Sequence, residues 1–297
     1  MNSVMVSRRA RVLVVYKKDA YQQYIQEQQD AHLVRLLGRR HPDVLEMQRA
    51  HVIHQEALKG VVHVLRRLDV EFELAHRAAL NVTKRYHMVV SVGGDGTFLQ
   101  AARSVRHTPI LGVNSDPARS EAVFCAATCR TFGRVMRRAM AGTLPQLQLH
   151  RLRLSLNGRP LPSRALNDVL VVHEDPATMS RYRLRIGGSE ELQKSSGLWV
   201  STAAGSSSAV LAAGGLQLPW GARRFQYRPR ELYRGRLSRC RLVGGVLTSR
   251  QRVQVTWLMR RGCAFLDGPH VTIPLQFADQ LDIRLSLTDP LRVLGLK

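Results

Sequence analysis

The stretch Met88-Val89-Val90-Ser91-Val92, followed at once by Gly93-Gly94-Asp95-Gly96-Thr97, constrains this chain more than any other. A short, nearly continuous apolar run suits a strand buried on both faces, as in a parallel sheet. The run ends in three glycines around one acid, and the spacing predicts a helix from Phe98 to Val105. Glycine allows positive φ and close approach of a ligand to the main chain. Successive N–H groups beside a helix N-terminus form a nest suited to phosphates. An acid inside such a nest is electrostatically out of place unless it has work. Phosphoryl transfer to an alcohol supplies that work, because a carboxylate can accept the hydroxyl proton or orient the hydroxyl. Without chemistry, the same residues make a tight turn with an aspartate helix cap.

Strand-like and helix-like stretches alternate around this segment. Val12–Tyr16, Glu71–Leu74, Met88–Val92 and Ile110–Val113 read as strands; Asp30–Leu37 and Gln55–Leu68 show helical spacing. This alternation predicts an N-terminal α/β domain on a parallel sheet. Thr131–Ala141 reads as its closing helix, and Gly142-Thr143-Leu144-Pro145 as a hinge. Beyond the hinge, short alternating runs predominate: Arg151–Leu156, Asn167–Val172, Tyr182–Ile186, Leu198–Thr202, Arg252–Leu258, Ala264–Leu266 and Asp282–Leu287. They predict a β-rich, antiparallel, sandwich-like second domain. The expected domains are 1–143 and 144–297, the last residues able to pack back on the first, with a ligand cleft between the two.

At 297 residues and 44% hydrophobic content, the chain can bury one large core or two ordinary ones. No apolar run approaches the roughly 20 residues that cross a bilayer. The predicted first strand begins close to Met1, which leaves no room for a secretory signal and gives a cytoplasmic expectation. Cys125, Cys129, Cys240 and Cys263 lack the paired spacing of a metal site and read as buried or free thiols. The net charge is +23, and only six of the 45 basic residues are lysine. That charge fits a solvated arginine surface or a field for polyanions. The densest run, Arg223 to Arg241, is interleaved with Phe225, Tyr227 and Tyr233, as an irregular loop or a nucleic-acid surface could be.

Two further segments carry polar chemistry. Ala165-Leu166-Asn167-Asp168-Val169 opens a predicted strand, and an amide beside a carboxylate can both donate to and accept from a sugar diol. Alone, Asn-Asp is an ordinary turn pair. The stretch from Val200 to Gly215 reads as a strand, a hydroxyl-rich turn of small residues and a helix. Such a turn can admit a flat ring while hydroxyls bond its polar edge.

At the glycine turn the chain resembles the superfamily of NAD kinases, diacylglycerol and sphingosine kinases, and phosphofructokinases. Asn167-Asp168 is similar to the Asn-Glu/Asp motif of NAD kinases. Residues 202–215 are similar to their stretch T-P-T-G-S-T-A-Y-S-L-S-A-G-G, with Thr202, Gly205, Ser206, Leu211, Ala213, Gly214 and Gly215 matching. Val12–Lys18, Gly112–Pro117 and Leu266-Asp267-Gly268 look like the plant-type NADH kinase branch.

The resemblance implies a kinase moving the γ-phosphoryl group of ATP, with Mg²⁺ or another divalent cation, onto the adenosine 2′-hydroxyl of NAD or NADH. It implies Asp95 as catalytic base or hydroxyl orienter, and Gly93, Gly94, Gly96, Thr97 and Arg151 on the ATP phosphates. Asn114, Asn167, Asp168, Thr202, Gly205 and Ser206 would hold the dinucleotide, with no metal site made by the protein itself. A homodimer or homotetramer with contacts from the second domain is implied, without membrane or nucleic-acid partners. Three features depart from the common family form, one of them the absence of its Asn-Thr-Gly-x-Leu-Gly-Phe loop, where Asn114-Ser115-Asp116-Pro117 leads into something different. Ser195-Ser196-Gly197 stands where Gly-Asp-Gly is usual, and Ala209 replaces the tyrosine of T-A-Y. The plant-type branch shares these last two changes. Loss of a carboxylate near the nicotinamide removes attraction for the positive ring of NAD⁺, so NADH is expected to be accepted at least as well. Two other readings of the residues stay open: a lipid kinase sharing the glycine turn, and a dinucleotide- or nucleic-acid-binding protein without catalysis.

Overall fold

The computed structural model describes residues 10–80, 82, 85–236 and 240–296. Residues 1–9, from which the absence of a secretory signal is expected, and residues 237–239 of the arginine-rich run lie outside the described set. The chain divides into two compact units: Met1–Leu147 with Arg292–Lys297, and Gln148–Leu291.

The first unit is built on a parallel sheet. β1 (Arg11–Tyr16) lies between β2 (Glu71–His76) and β3 (Met88–Gly93). β4 (Ile110–Asn114) pairs with β3, and β5 (Cys125–Thr128) with β4. Near the end of the chain, Val293 returns to pair in parallel with Ile110. Every residue of β3 and β4 is buried, as the apolar runs require. The helices are a wide helical turn over Tyr21–Glu27, α1 (Ala31–Gly38), α2 (Pro42–Arg67), α3 (Asp95–Ser104) and α4 (Cys129–Met140). Val61 and Leu65 of α2 and Phe132 and Met136 of α4 share one core with Val14, Val90 and Val113 of the sheet.

Local chemistry sets the helix starts. The Asp30 carboxylate accepts the N–H groups of His32 and Leu33 and caps α1. Thr128 and Thr131 cap α4 reciprocally. Two starts differ from the sequence reading. α2 begins at Pro42, a residue pre-set for a first turn, rather than at Gln55. Its first half buries only Val44 before His54, so its apolar periodicity is thin. α3 begins at Asp95 rather than Phe98, with Gly94 as its cap residue, so most of the glycine turn is the first turn of the helix.

The second unit is antiparallel and β-rich. Its strands are β6 (Gln146–Leu156), β7 (Arg159–Ala165), β8 (Asp168–Val172), β9 (Ser180–Ile186), β10 (Ser189–Ser195) and β11 (Leu198–Thr202). They continue as β12 (Arg224–Pro229), β13 (Gly245–Thr248), β14 (Val253–Trp257), β15 (Gly262–Leu266), β16 (Thr272–Leu275) and β17 (Gln280–Leu294). One sheet has the order β13-β12-β11-β8-β15-β16. The other runs β10-β9-β14-β17, with β6 beside β17 and β7 beside β6. Val171, Val200 and Phe225 from one sheet share a core with Leu184, Val255, Trp257 and Ile283 from the other. The helix after the hydroxyl-rich turn is a short one, α5 (Ala209–Ala212).

This is the α/β-then-β order that the sequence predicts. The strands missed by sequence reasoning are polar or short. β12 falls inside the arginine-rich run and buries Phe225 and Tyr227 in the core, so that part of the run is neither an irregular loop nor a free surface. All four cysteines are free thiols. Among the described residues, no helix is long and apolar enough to cross a membrane.

Candidate active site

The glycine turn sits at the carboxyl end of β3, where Gly93 is in register with Asn114 at the end of β4. In open α/β sheets this edge is where ligands bind. A Cβ on Gly93 would stand 2.4 Å from Thr97 Oγ1, and one on Gly94 3.0 Å from Ser120 Oγ, so side chains close over these glycines. Gly96 is exposed and its backbone is open. Thr97 is 1% exposed, and its side chain packs beneath Gly93.

Asp95 is half-buried in the first turn of α3. Its Oδ2 accepts the N–H of Val123 at 3.1 Å, and its Oδ1 the N–H of Phe124 at 3.0 Å. A negative charge is favourable at a helix N-terminus. The acid is therefore not out of place electrostatically, and that part of the sequence argument is corrected. It anchors a neighbouring segment while each oxygen keeps a second lone pair for another donor. The Cys125 thiol lies 3.8 Å from the Gly93 carbonyl; burial first, then the Asp95 charge, push it up to about 12, so it stays protonated.

Asn114 is buried and its amide is engaged at both ends. Nδ2 donates to the Ser120 carbonyl at 2.7 Å, and Oδ1 accepts the Asp116 N–H at 2.9 Å. It shapes the loop after β4.

In the second unit, one carboxylate organises the Asn167-Asp168 pair. Asp267 Oδ2 accepts the N–H of Leu166 at 2.9 Å, and its Oδ1 those of Asn167 at 2.7 Å and Asp168 at 3.1 Å. Asn167 Nδ2 lies 3.3 Å from Asp168 Oδ2 and 3.3 Å from Ser208 Oγ, and Ser208 Oγ lies 3.1 Å from Asp168 Oδ2. Asn167, Asp168 and Ser208 thus form one polar cluster. Burial first, and then the Asp267 charge, push the Asp168 carboxyl up to about 7, with the Ser208 hydroxyl pulling against them. Sequence reasoning did not assign Ser208 and Asp267 to the site. The chain shows Asp267 only as a Leu-Asp-Gly turn, and its three donors lie about a hundred residues away, Leu166 being 101 from it.

Thr202, Gly205 and Ser206 brace the turn itself in this structure. Thr202 Oγ1 donates to the Leu166 carbonyl at 2.6 Å and accepts the Gly205 N–H at 3.1 Å. Ser206 Oγ donates to the Ala203 carbonyl at 2.7 Å and accepts the Leu218 N–H at 2.8 Å. Both are 1% exposed. A Cβ on Gly205 would meet the Asn167 carbonyl oxygen at 2.2 Å, so glycine lets the turn lie directly on the Asn167 backbone.

Arg151 is not placed to bind phosphate. It is 1% exposed; Nε and Nη2 donate to the Asp289 carbonyl at 3.2 and 3.1 Å, and Nη2 lies 3.1 Å from Asp289 Oδ1. Arg164 ion-pairs with the same carboxylate.

An α/β unit with this glycine–acid turn, followed by this β-rich unit, is a fold shared with solved NAD and NADH kinases. The family model described as ATP-NAD kinase N-terminal domain matches residues 2–142. A probable NADH kinase of Oryza sativa subsp. japonica is 35% identical over 254 residues, covering 78% of each chain. An NADH kinase of Arabidopsis thaliana is 32% identical over 270 residues, covering 82% of this chain and 84% of its own. The fold is shared with an NAD kinase from Archaeoglobus fulgidus in complex with ATP, at TM-score 0.63 and 22% identity, covering 95% of this chain and 92% of that one. It is also shared with yeast NADH kinase complexed with NADH, at TM-score 0.66 and 14% identity, covering 97% and 84%. The chain belongs to the NAD kinase family.

Two outcomes follow from the geometry. Replacing Arg151 with methionine breaks a buried pair and is expected to cost about 3 kcal/mol of stability in denaturant unfolding, with the KM for ATP unchanged. A raised KM at unchanged stability would restore the phosphate role. Asp168 has its folded pKa raised above the unfolded value, so its contribution is full at low pH and is lost as pH rises through about 7. Asp168→Asn is therefore expected to raise Tm relative to wild type by more at pH 8 than at pH 5, and not at pH 3, as read by thermal scans at each.

Proposed function

We propose that this protein is a kinase transferring the γ-phosphoryl group of ATP to the adenosine 2′-hydroxyl of NAD or NADH. In this reaction the acceptor oxygen forms a bond to the γ-phosphorus, the bond from that phosphorus to the β,γ-bridging oxygen breaks, and the hydroxyl proton is lost. The observation that carries the reading is the Gly93–Thr97 turn at the carboxyl edge of a parallel sheet, in a chain of this family. The exposed backbone of Gly96 and the N-terminus of α3 suit the donor phosphates. Asp95, held by two backbone N–H groups, keeps lone pairs with which to orient the acceptor hydroxyl or take its proton. Fixing it beforehand removes a reorganisation cost from the reaction. Asn167 and Asp168, presented by Asp267 and joined by Ser208, supply the donors and acceptors that a ribose diol needs.

Among the described residues, no group of three or more His, Cys, Asp or Glu could hold a metal ion. A divalent cation fits this chain as the ATP complex, ligated by the phosphates and neutralising their charge when bound. The homo-oligomer and the cytoplasmic location belong to the same proposal and rest on the resemblance and the sequence pattern. A lipid acceptor is disfavoured because the Asn167–Asp168–Ser208 cluster is polar.

Asp95→Asn is expected to lower kcat for NADP(H) formation by about a hundredfold or more while leaving the Kd for NADH largely intact. Because Asp95 also anchors Val123 and Phe124, Tm is measured alongside; a Tm drop with kcat retained would reduce Asp95 to an anchor. On acceptor choice, kcat/KM for NADH is expected to equal or exceed that for NAD⁺, and Ser196→Asp to shift the ratio toward NAD⁺ by about fivefold. A clear wild-type preference for NAD⁺ would overturn this part.

A further inference from the structure

Among the described residues, two cations at the carboxyl edge of the parallel sheet have no ion-pair partner. Lys17 follows the last residue of β1, and Arg77 the last residue of β2. The strands pair Tyr16 with His76, and the Arg77 N–H donates to the Tyr16 carbonyl at 2.9 Å. On the other side of β1, β3 runs into the glycine turn. The Arg77 guanidinium reaches that turn, since its Nη1 would lie 4.0 Å from a Cβ on Gly96.

The neighbouring Lys18 shows how a lysine is usually neutralised here: its Nζ lies 2.9 Å from Glu27. The carboxylates that face Lys17 are those of Asp19 and Asp116. Each already has a partner: Asp19 Oδ2 is 2.8 Å from His51 Nδ1, and Asp116 Oδ2 is 3.2 Å from Arg119 Nε. Among the described residues, no carboxylate lies within ion-pair distance of the Lys17 amine or the Arg77 guanidinium. Both groups are partly withdrawn from water, and burial, with repulsion from a second cation, lowers the pKa of each. The backbone that carries Lys17 is fastened from α2, where buried His54 places Nε2 3.1 Å from the Lys17 carbonyl.

We propose that Lys17 and Arg77, together with the exposed backbone of Gly96, bind the phosphate groups of the donor. The inference rests on the kinase reading and adds two binding residues to it. A half-desolvated cation without a counter-ion attracts a polyanion strongly, and a guanidinium can grip two phosphate oxygens at once. Such a pair reads phosphate charge and not the nucleoside, so inorganic tripolyphosphate binds the same two groups.

The test is calorimetric binding of ATP and of inorganic tripolyphosphate to the full chain, with KM values for ATP and NADH. Wild type is compared with Lys17→Met, Arg77→Met, Lys17→Arg and Arg77→Lys. Each methionine variant is expected to weaken both anions about tenfold or more, and to raise the ATP KM alike. The NADH KM is expected to hold, and Tm not to fall, because an uncompensated cation has been removed. The charge-retaining variants recover part of the affinity. Methionine variants that bind both anions like wild type, or that lose Tm while keeping affinity, would sink the proposal. If wild type binds ATP through these cations yet forms no NADP or NADPH, the kinase reading fails and the phosphate site stands; product formation with anion binding unchanged in the variants fails the site alone.

Discussion

A carboxylate accepting backbone N–H groups from a distant segment is the interaction on which both polar regions of this protein depend. In the first unit Asp95 holds Val123 and Phe124; in the second Asp267 holds Leu166, Asn167 and Asp168. Such bonds are charge-assisted, worth about 1.5–3 kcal/mol each, and directional. They fix main chain where no strand or helix ladder could do so. Asp267 pays for this service with a left-handed backbone, φ 48°. The consequence for chemistry is rigidity: the groups beside these anchors have little freedom left to lose when a substrate arrives.

The same economy of charge explains the arginines. A surplus of +23 suggests a polyanion surface, but most of the structure's ion pairs are ordinary ones on partly exposed side chains, such as Arg11 with Glu71 and Arg49 with Glu46. Arg151 is buried with Asp289 and ties the start of the second unit to β17. Charge alone could not separate these from Lys17 and Arg77. The separation needs the list of who already has a partner, which only a fold provides.

How much of this was legible in the chain follows from what each residue type can disclose. The strands β3 and β4 were legible because both faces are buried and every position is constrained to be apolar or small. β7, β10 and β12 were not, since Arg159, Glu190 and Arg224 face water and break the pattern, while a Tyr or Gln that points inward is written no differently from one that points out. The glycine turn was legible as a local motif, although the start of α3 was misplaced because glycine has no helical preference to signal it. The hydroxyls were the weakest signal. Thr202 and Ser206 bond the backbone of their own turn, whereas Ser208, two residues on, joins the Asn167–Asp168 cluster. A hydroxyl that ties a turn and one that lines a site share one letter, and only orientation tells them apart.

The stretch that departs from the common family form shows why a lost acid need not weaken the fold. Ser195 is fully buried; its Oγ is 2.8 Å from the Tyr182 hydroxyl, donates to the Gly197 carbonyl at 2.9 Å and receives the Gly197 N–H at 3.1 Å. Gly197 takes φ 122°, and a Cβ there would come within 2.9 Å of the Val171 carbonyl oxygen, so the bend into β11 requires glycine. Ser196 between them has its N–H on the Arg230 carbonyl and its side chain only half-buried. The geometry of the bend is therefore set by residues 195 and 197 and is indifferent to which polar side chain stands at 196. A position so decoupled from folding can exchange a carboxylate for a hydroxyl at little cost to stability.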